Sequence, residues 1–197
     1  MKNSLLHLWT GIVPVVLLTA VGLAPAAVAA NPTLDSEQTA FLTLINNYRA
    51  QNGAGALQVS VALQNSSQWM STDLATKNYF SHTDSMGRSP GSRLAAFGYP
   101  YYPWGENVAA GYSDAQNTLN QWINACDADA SGACTYAHRQ NMLNLSYKVM
   151  GIGRAYSAAS AYRWYWTTDF EGVLDQVLNP SNPAPAISIS AGVKLDQ

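Results

Sequence analysis

The sequence predicts an α+β domain in which helices come first and a β-hairpin comes last. Apolar residues recur at helical spacing in the first two thirds of the chain, whereas residues 162–170 alternate in side-chain type as strands do. Because the strands follow the helices instead of alternating with them, a layered domain is favoured over a doubly wound parallel sheet. The 197 residues are enough for one medium-sized domain with a hydrophobic core of its own.

Four helices are predicted from their caps and their apolar spacing. The first begins at a capping box formed by Asp35 and Gln38, and the fourth is assigned a similar start at Ser113 with Gln116. The third begins at Pro90, a residue that the first turn of a helix tolerates. The first three expected helices cover about residues 35–52, 60–78 and 90–97, and the fourth begins at residue 113 and carries an apolar stripe of Ala115, Leu119, Trp122 and Ile123.

Two strands joined by a hairpin are predicted for the last third of the chain. Residues 147–156 are compatible with a strand, and residues 162–170 are rich in aromatic and β-branched side chains. The five small residues 157–161 suit the connecting turn. Residues 107–111 are a candidate for a further short strand. The folded domain is therefore expected to span residues 36–171.

The two ends of the chain lie outside this predicted domain. Residues 1–30 combine Lys2, an apolar run and an Ala-rich end, a pattern typical of a secretory signal peptide cleaved after Ala30. An uncleaved membrane anchor is the alternative, and Pro14 and Pro25 argue against it because they interrupt the run. Residues 172–197 are predicted to form a Pro-rich tail or linker, with residues 187–190 as a candidate lone strand. We thus expect a secreted or extracellular protein without stable membrane insertion after cleavage.

The charge balance excludes an electrostatic nucleic-acid binder. The formal net charge is −2 at pH 7, and once residues 1–30 are removed nine Lys and Arg face twelve Asp and Glu. No basic run occurs anywhere in the chain. Nucleic acids and anionic membranes attract proteins through clustered Lys and Arg, so neither is an expected partner.

Cys126 and Cys134 are the only cysteines, and an exported chain meets an oxidising compartment. The small residues between them allow the two thiols to meet, so a structural disulfide is predicted, with a stabilising effect of roughly 2–3 kcal/mol. A redox or metal-binding pair is the weaker alternative, because the spacing is not Cys-x-x-Cys and no further ligand accompanies the pair.

His82 and His138 are the only histidines after residue 30, and Glu106 is the carboxylate that accompanies them in the motifs described next. Two imidazoles and a carboxylate can bind zinc with an open coordination position, or can act as general acid and base. The histidines lie 56 residues apart without His-Glu-x-x-His spacing, so the residues themselves leave open whether the three side chains meet. Each of them is equally compatible with a hydrogen-bonded structural role.

Several segments together resemble the CAP superfamily, which includes cysteine-rich secretory proteins, antigen 5 proteins and plant pathogenesis-related proteins. They are Phe-Ser-His-Thr at residues 80–83, Gly-Glu-Asn-Val-Ala at 105–109 and His-Arg-Gln-Asn-Met-Leu at 138–143. The last form is similar to that of bacterial SCP-like members. Leu-Ile-Asn-Asn-Tyr-Arg at 44–49 and Gly-Ile-Gly at 151–153 also fit, and the matches follow in order over roughly residues 36–171.

This resemblance implies a three-layer α-β-α sandwich with a small antiparallel sheet and a cleft that holds two His and two Glu. In some members these residues bind zinc or another divalent cation, and the implied ligands here are His82, His138 and Glu106. The second glutamate of many members follows the helix-four tryptophan by three residues, where this chain has Ala125. Asp127 or Asp129 would have to replace it. We expect weak divalent-metal binding that fades as the histidines protonate below about pH 6.

Three function classes remain open at this level. The resemblance favours a binding module whose cleft takes a lipid, a glycan or a peptide, with the aromatic residues 97–104 as a candidate groove lining. The first alternative is a metal-assisted, peptidase-like hydrolase in which Glu106, His82 and His138 are catalytic. The second alternative is a structural interaction protein of the cell envelope, in which the cleft has lost its function.

Overall fold

The computed structural model describes residues 31–178, which form five helices and five strands. The predicted signal peptide and the candidate strand at residues 187–190 lie outside the described residues. In chain order the elements are α1 (Ser36–Gln51), β1 (Gln58–Ser60), α2 (Val61–Lys77), α3 (Pro90–Ala96), β2 (Trp104–Ala110), α4 (Ala115–Asn124), α5 (Ala137–Leu143), β3 (Val149–Tyr156), β4 (Trp164–Glu171) and β5 (Val177–Leu178).

The four predicted helices are confirmed, with one correction to a cap. The capping box of Asp35 and Gln38 is present at the start of α1. Helix α4 is capped by Asp114, whose side chain accepts from the backbone N–H of Asn117, and Ser113 lies one residue before the cap. An Asp carboxylate is as good a cap as a Ser hydroxyl, so the sequence pattern alone did not separate the two neighbours. Helix α5 and strand β1 were not predicted, because both are too short to show a period.

The strands form one sheet in the order β2-β4-β3-β1-β5. The predicted hairpin is confirmed, since β3 and β4 pair antiparallel along their whole length. Strand β2 pairs antiparallel with the other edge of β4, and β5 pairs antiparallel with β1. The sheet differs from the expected antiparallel one at a single place, because β1 and β3 run parallel.

Helices cover both faces of the sheet, which gives the predicted α-β-α sandwich. On one face Phe41 of α1 packs against Trp122 of α4 and Trp166 of β4, with ring centroids 5.3 and 5.8 Å apart. On the other face the Ser67 hydroxyl of α2 donates to the Asp169 carboxyl group of β4 at 2.9 Å. The alternation along β4 therefore separates an aromatic face from a polar face, and both faces are buried.

Helix α2 lies so close to the sheet that two positions of β3 admit only glycine. A Cβ on Gly151 would overlap the Leu63 carbonyl, and a Cβ on Gly153 would overlap the Ser67 carbonyl. The close approach brings the hydroxyl and amide side chains of α2 within hydrogen-bond distance of the strands. Gln64, for example, donates to Ile152 O at 2.8 Å and accepts from Ile152 N at 2.8 Å.

The domain continues past the predicted boundary at residue 171. Strand β5 pairs with β1, and Asp175 accepts a hydrogen bond from Ser60 at 2.7 Å. The backbone N–H of Val61 donates to Gln176 O at 2.8 Å. Residues 172–178 of the predicted tail therefore belong to the folded domain, as its edge strand. Their lack of strong periodicity is what a two-residue strand leaves in a sequence.

Candidate functional site

The first half of the candidate site is a hydrogen-bonded pair of His82 and Glu106. His82 lies in the loop after α2, and its Nδ1 is 2.7 Å from Glu106 Oε1 on β2. The His82 side chain is 52% exposed, whereas that of Glu106 is 1% exposed. The imidazole therefore reaches solvent with its Nε2 edge, and the carboxylate holds it from below.

A buried arginine holds the second oxygen of the same glutamate. Arg93 of α3 is fully buried and donates to Glu106 Oε2. It also donates to the backbone carbonyl of His82 at 3.3 Å and lies 3.9 Å from the Asp84 carboxylate. Arg93 thus neutralises the buried glutamate and fixes the loop that carries His82.

A second buried carboxyl group faces Glu106 from the neighbouring strand. Asp169 of β4 is opposite Glu106 in the antiparallel register, and directly opposed side chains project from the same face of a sheet. Burial, followed by the charge of Glu106, raises the pKa of Asp169 to about 7. Two positions further along β4, burial raises the pKa of Glu171 to about 8. The buried carboxyl groups of Glu106 and Asp169 therefore lie near the Arg93 guanidinium, and burial favours the protonated form of Asp169 and Glu171.

The second half of the site pairs His138 with Asp127. His138 lies in the first turn of α5, and its Nδ1 is 2.9 Å from Asp127 Oδ1. The same carboxylate accepts from the backbone N–H of His138 at 3.3 Å, so it also caps a helix whose own preceding residue, Tyr136, provides no side-chain cap. Of the two aspartates named from the sequence, Asp127 meets His138. Asp129 instead accepts from Ser131 and closes a turn.

The predicted disulfide is confirmed, and it places Asp127. Cys126 and Cys134 are bonded, with their Cα atoms 4.8 Å apart. Asp127 follows the first cysteine, and its carbonyl accepts from Thr135 N at 2.8 Å, just beyond the second. The short loop therefore holds the backbone of Asp127 from both sides, directly before α5 begins.

Two asparagines join the halves of the site. Asn107 donates to the His138 carbonyl at 3.0 Å, and Asn141 donates to the Glu106 carbonyl at 3.3 Å. The two amides also bond each other at 2.9 Å. A Cβ on Gly105 would come within 2.6 Å of the Tyr147 hydroxyl and 3.0 Å of the Asn141 side chain of α5, so glycine leaves room for β2 and α5 to approach closely. Both asparagines thus satisfy backbone groups, the role that asparagine side chains commonly have near turns.

The structure brings the predicted site residues together as two pairs and not as one cluster. His82 meets Glu106, while the imidazole of His138 meets Asp127. Within residues 31–178 no group of three or more His, Cys, Asp and Glu side chains is arranged to hold a metal ion. Both Glu106 oxygens are already bonded, one of them to a buried guanidinium that would repel a cation. Glu106 does not fit the role of a direct metal ligand in this arrangement.

The aromatic residues 97–104 do not line one groove. Tyr99 is buried, and its hydroxyl donates to the Val173 carbonyl. Tyr101 and Tyr102 are exposed, whereas Phe97 packs against Trp69 of α2 with ring centroids 6.2 Å apart. These rings are divided between the core and the surface.

Arg93 and Asp169 are site residues that the sequence did not single out. Arg93 occurs in a seven-residue helix without a motif, so nothing marked it as buried. Asp169 had a signal, because an acidic residue in the middle of a strongly patterned strand demands a buried partner. The identity of that partner depends on the register between β2 and β4, which only the structure provides.

The pH dependence of stability should reveal the His82–Glu106 pair. The hydrogen bond to Glu106 raises the pKa of His82, against the opposing effect of burial. A raised imidazole pKa stabilises the fold below the unfolded value of about 6.5, and this contribution is lost as the pH rises through the folded value. We therefore expect His82→Gln to destabilise the protein more at pH 5.5 than at pH 8.5, as measured by urea unfolding. An equal loss at both pH values, or an imidazole pKa at or below about 6.5 by NMR, would contradict the pairing.

Comparison with known proteins identifies the family. Residues 42–170 match the model of the CAP family, described as the cysteine-rich secretory protein family. The chain belongs to this family. The match covers the predicted domain apart from its first residues and reaches the end of β4, so the resemblance seen in the sequence is confirmed.

Individual relatives agree with this assignment. The chain is 29% identical over 144 residues to the uncharacterized protein YkwD of Bacillus subtilis, over 73% of this chain and 50% of that protein. It thus spans about half the length of this curated relative.

Solved structures share the fold. An extracellular protein containing a SCP domain from Bacillus anthracis is 25% identical, with a TM-score of 0.56 over 68% of this chain and 40% of that one. An outer surface protein from Borrelia burgdorferi is 16% identical, with a TM-score of 0.57 over 71% and 96% of the two chains. The three-layer fold predicted from the sequence is therefore shown.

Proposed function

We propose that this CAP-domain protein is an exported binding module that takes a polar ligand between His82 and His138. The observation that carries the proposal is that both imidazoles are held by a carboxylate at the same ring nitrogen. In both, Nδ1 is bonded to a carboxylate, which leaves Nε2 as the outward hydrogen-bonding atom. Two imidazoles that are held in place by the protein can form hydrogen bonds with hydroxyl, carbonyl or carboxylate groups of a ligand.

Export is part of this proposal. The N-terminal sequence is typical of a signal peptide, and the chain resembles an extracellular protein of Bacillus anthracis. The disulfide agrees with an oxidising compartment. Within residues 31–178 no helix is long and apolar enough to cross a bilayer.

Binding is favoured over hydrolysis by the state of Glu106. A general base must come within hydrogen-bond reach of a substrate or a water molecule. The Glu106 side chain is 1% exposed, and its two oxygens are bonded to His82 and Arg93. Its role in the proposal is to orient His82 and to compensate its charge, and not to act on a substrate.

A divalent cation is the second candidate ligand. Histidines that bind metals usually donate their other ring nitrogen to a carboxylate, as both His82 and His138 are placed to do. If a cation binds here, the Nε2 atoms of His82 and His138 would be its ligands. Glu106 and Asp127 would then orient the two imidazoles. Such a site has fewer protein ligands than the one expected from the sequence, so its affinity for zinc should be weak.

NMR titration of the purified protein tests the proposal. We would add chitotetraose, phospholipid bicelles, an acidic tetrapeptide and zinc in separate titrations and follow the imidazole resonances of His82 and His138. We expect one probe to shift both histidines in a saturable manner without being consumed. Calorimetry should then show that His82→Ala with His138→Ala no longer binds that probe.

Two outcomes would contradict the proposed function. If no probe class moves either imidazole, the two histidines are structural. If one probe is converted to products by the wild type and not by His82→Ala with His138→Ala, the site is catalytic. If the double variant still binds zinc, the zinc does not bind to the two histidines. This outcome would contradict only the divalent cation as the second candidate ligand.

A further inference from the structure

Two half-exposed aromatic rings lie beside His82 and have no role in the site described above. Phe80 precedes His82 by two residues and is 49% exposed, and Tyr162 of the β3–β4 loop is 53% exposed. Their ring centroids are 6.1 Å apart, and the planes are tilted by 60°. We call these two rings the aromatic platform. Together the two rings form a small exposed aromatic surface.

The platform is held rigidly from below. Tyr162 meets the edge of Tyr165, which is fully buried, with ring centroids 6.1 Å apart. The loop that carries Tyr162 is tied to the end of α2, because Ala161 N donates to the Asn78 side chain at 2.7 Å. The rings are therefore fixed before any ligand arrives, which lowers the entropy cost of binding.

The surroundings of the platform are polar, and the exposed Arg163 directly follows Tyr162. Ser81 and Thr83 flank His82, and the Ser81 hydroxyl accepts from the Thr83 backbone N–H at 3.0 Å. The imidazole edge of His82 faces solvent at the same end of the loop. A ligand that covers the rings thus meets hydroxyl and imidazole groups at its rim.

We propose that the platform binds a neutral oligosaccharide, with one sugar ring stacked on Phe80 or Tyr162 and its hydroxyl groups directed to His82. This inference rests on the proposed function and names the ligand class of the same site. A pyranose has one apolar C–H face and a rim of hydroxyl groups, and this combination matches two aromatic faces with a polar border. An acyl chain would need an enclosed apolar groove, and two separate, tilted rings do not provide one.

Neutral β-1,4-linked sugars are the best-matched members of this class. In cellotetraose and chitotetraose all ring substituents or linkages are equatorial, so both faces of each sugar present axial C–H groups to an aromatic ring. Two successive sugars of such a chain could then stack on the rings of Phe80 and Tyr162. The protein has a negative net charge, so a neutral glycan also avoids the repulsion that an acidic one would meet.

Affinity measurements with substituted rings test the inference. We would titrate cellotetraose and chitotetraose into wild type, Phe80→Leu, Tyr162→Ala and the matched control Tyr156→Ala. Tyr156 is 52% exposed and packs against Trp164 at the other side of the same hairpin. We expect the wild type to bind at least one sugar, both platform variants to bind it at least about fivefold more weakly, and the control to bind like wild type.

The outcomes separate this inference from the proposed function. If neither sugar binds the wild type, or if both platform variants bind as well as wild type, the inference is overturned. If bicelles or the tetrapeptide move the histidines while neither sugar does, the binding module stands and the sugar assignment fails. If Tyr156→Ala weakens binding as much as Tyr162→Ala, the loss reflects the hairpin and the platform is also rejected.

Discussion

Gly153→Ala should abolish or severely weaken folding, with an expected loss of at least about 4 kcal/mol in the free energy of unfolding. The added methyl group would overlap the Ser67 carbonyl, a backbone atom in the middle of α2. A side chain can rotate away from such an overlap, but a helix carbonyl cannot, so α2 would have to move off the sheet. The movement would also break the hydrogen bonds of Ser67 to Asp169.

A matched alanine variant controls for the general effect of removing a glycine. Gly55 lies in the turn after α1, does not have a positive φ angle, and has no atom within 4 Å of a built Cβ. Gly55→Ala should remain within about 0.5 kcal/mol of wild type. Urea unfolding followed by circular dichroism measures both variants. Were Gly153→Ala to lose less than about 1 kcal/mol, the close approach of α2 to β3 would be wrong.

Arg93→Met should cost about 3–5 kcal/mol at pH 7, because it leaves the buried Glu106 carboxylate without its counter-charge. Methionine fills a similar volume, so the loss would come from charge and hydrogen bonds more than from packing. The hydrogen bond to Glu106 raises the pKa of His82, so at low pH the charged imidazole can replace part of the missing counter-charge. The loss in the free energy of unfolding should therefore be smaller at pH 4.5 than at pH 7.5 when wild type and Arg93→Met are both unfolded in urea.

Arg88→Met is the control for this second variant. Arg88 also pairs with Asp84, at 2.8 Å, but its side chain is 23% exposed, whereas that of Arg93 is fully buried. Water can solvate the Asp84 carboxylate once the partly exposed Arg88 side chain is removed. We therefore expect Arg88→Met to lower the free energy of unfolding by about 1 kcal/mol or less. Similar losses in the two variants, or a loss for Arg93→Met that does not change with pH, would contradict the role of Arg93 as the counter-charge of the site.

The sequence predicted the elements with strong local signals and missed those whose identity depends on distant contacts. The capping box at Asp35 and the alternation over residues 162–170 were sufficient to locate α1 and β4. Strand β5 consists of two residues that are held by β1, where Val59 is the register partner of Leu178. The existence of β5 thus depends on a pairing between the first and last parts of the domain. No local pattern encodes such a pairing.

The candidate site shows the same division. The motifs identified His82, His138 and Glu106, and the structure places them in the loop after α2, in α5 and in β2. The assignment of partners differed, because Asp127 reaches His138 through the disulfide loop and Arg93 reaches Glu106 from α3. Arg93 and Glu106 are 13 residues apart and lie on different elements, so a motif of adjacent residues could not reveal their contact.

The disulfide between Cys126 and Cys134 affects the stage at which the proposed binding site is complete. Asp127 orients the imidazole of His138 and caps α5, and the cross-linked loop sets its position. A newly made chain with free thiols lacks that covalent constraint, so the position of Asp127 beside His138 would be less restricted before oxidation. For a chain exported as proposed above, disulfide formation would fix this half of the proposed site only after the chain has left the reducing cytosol.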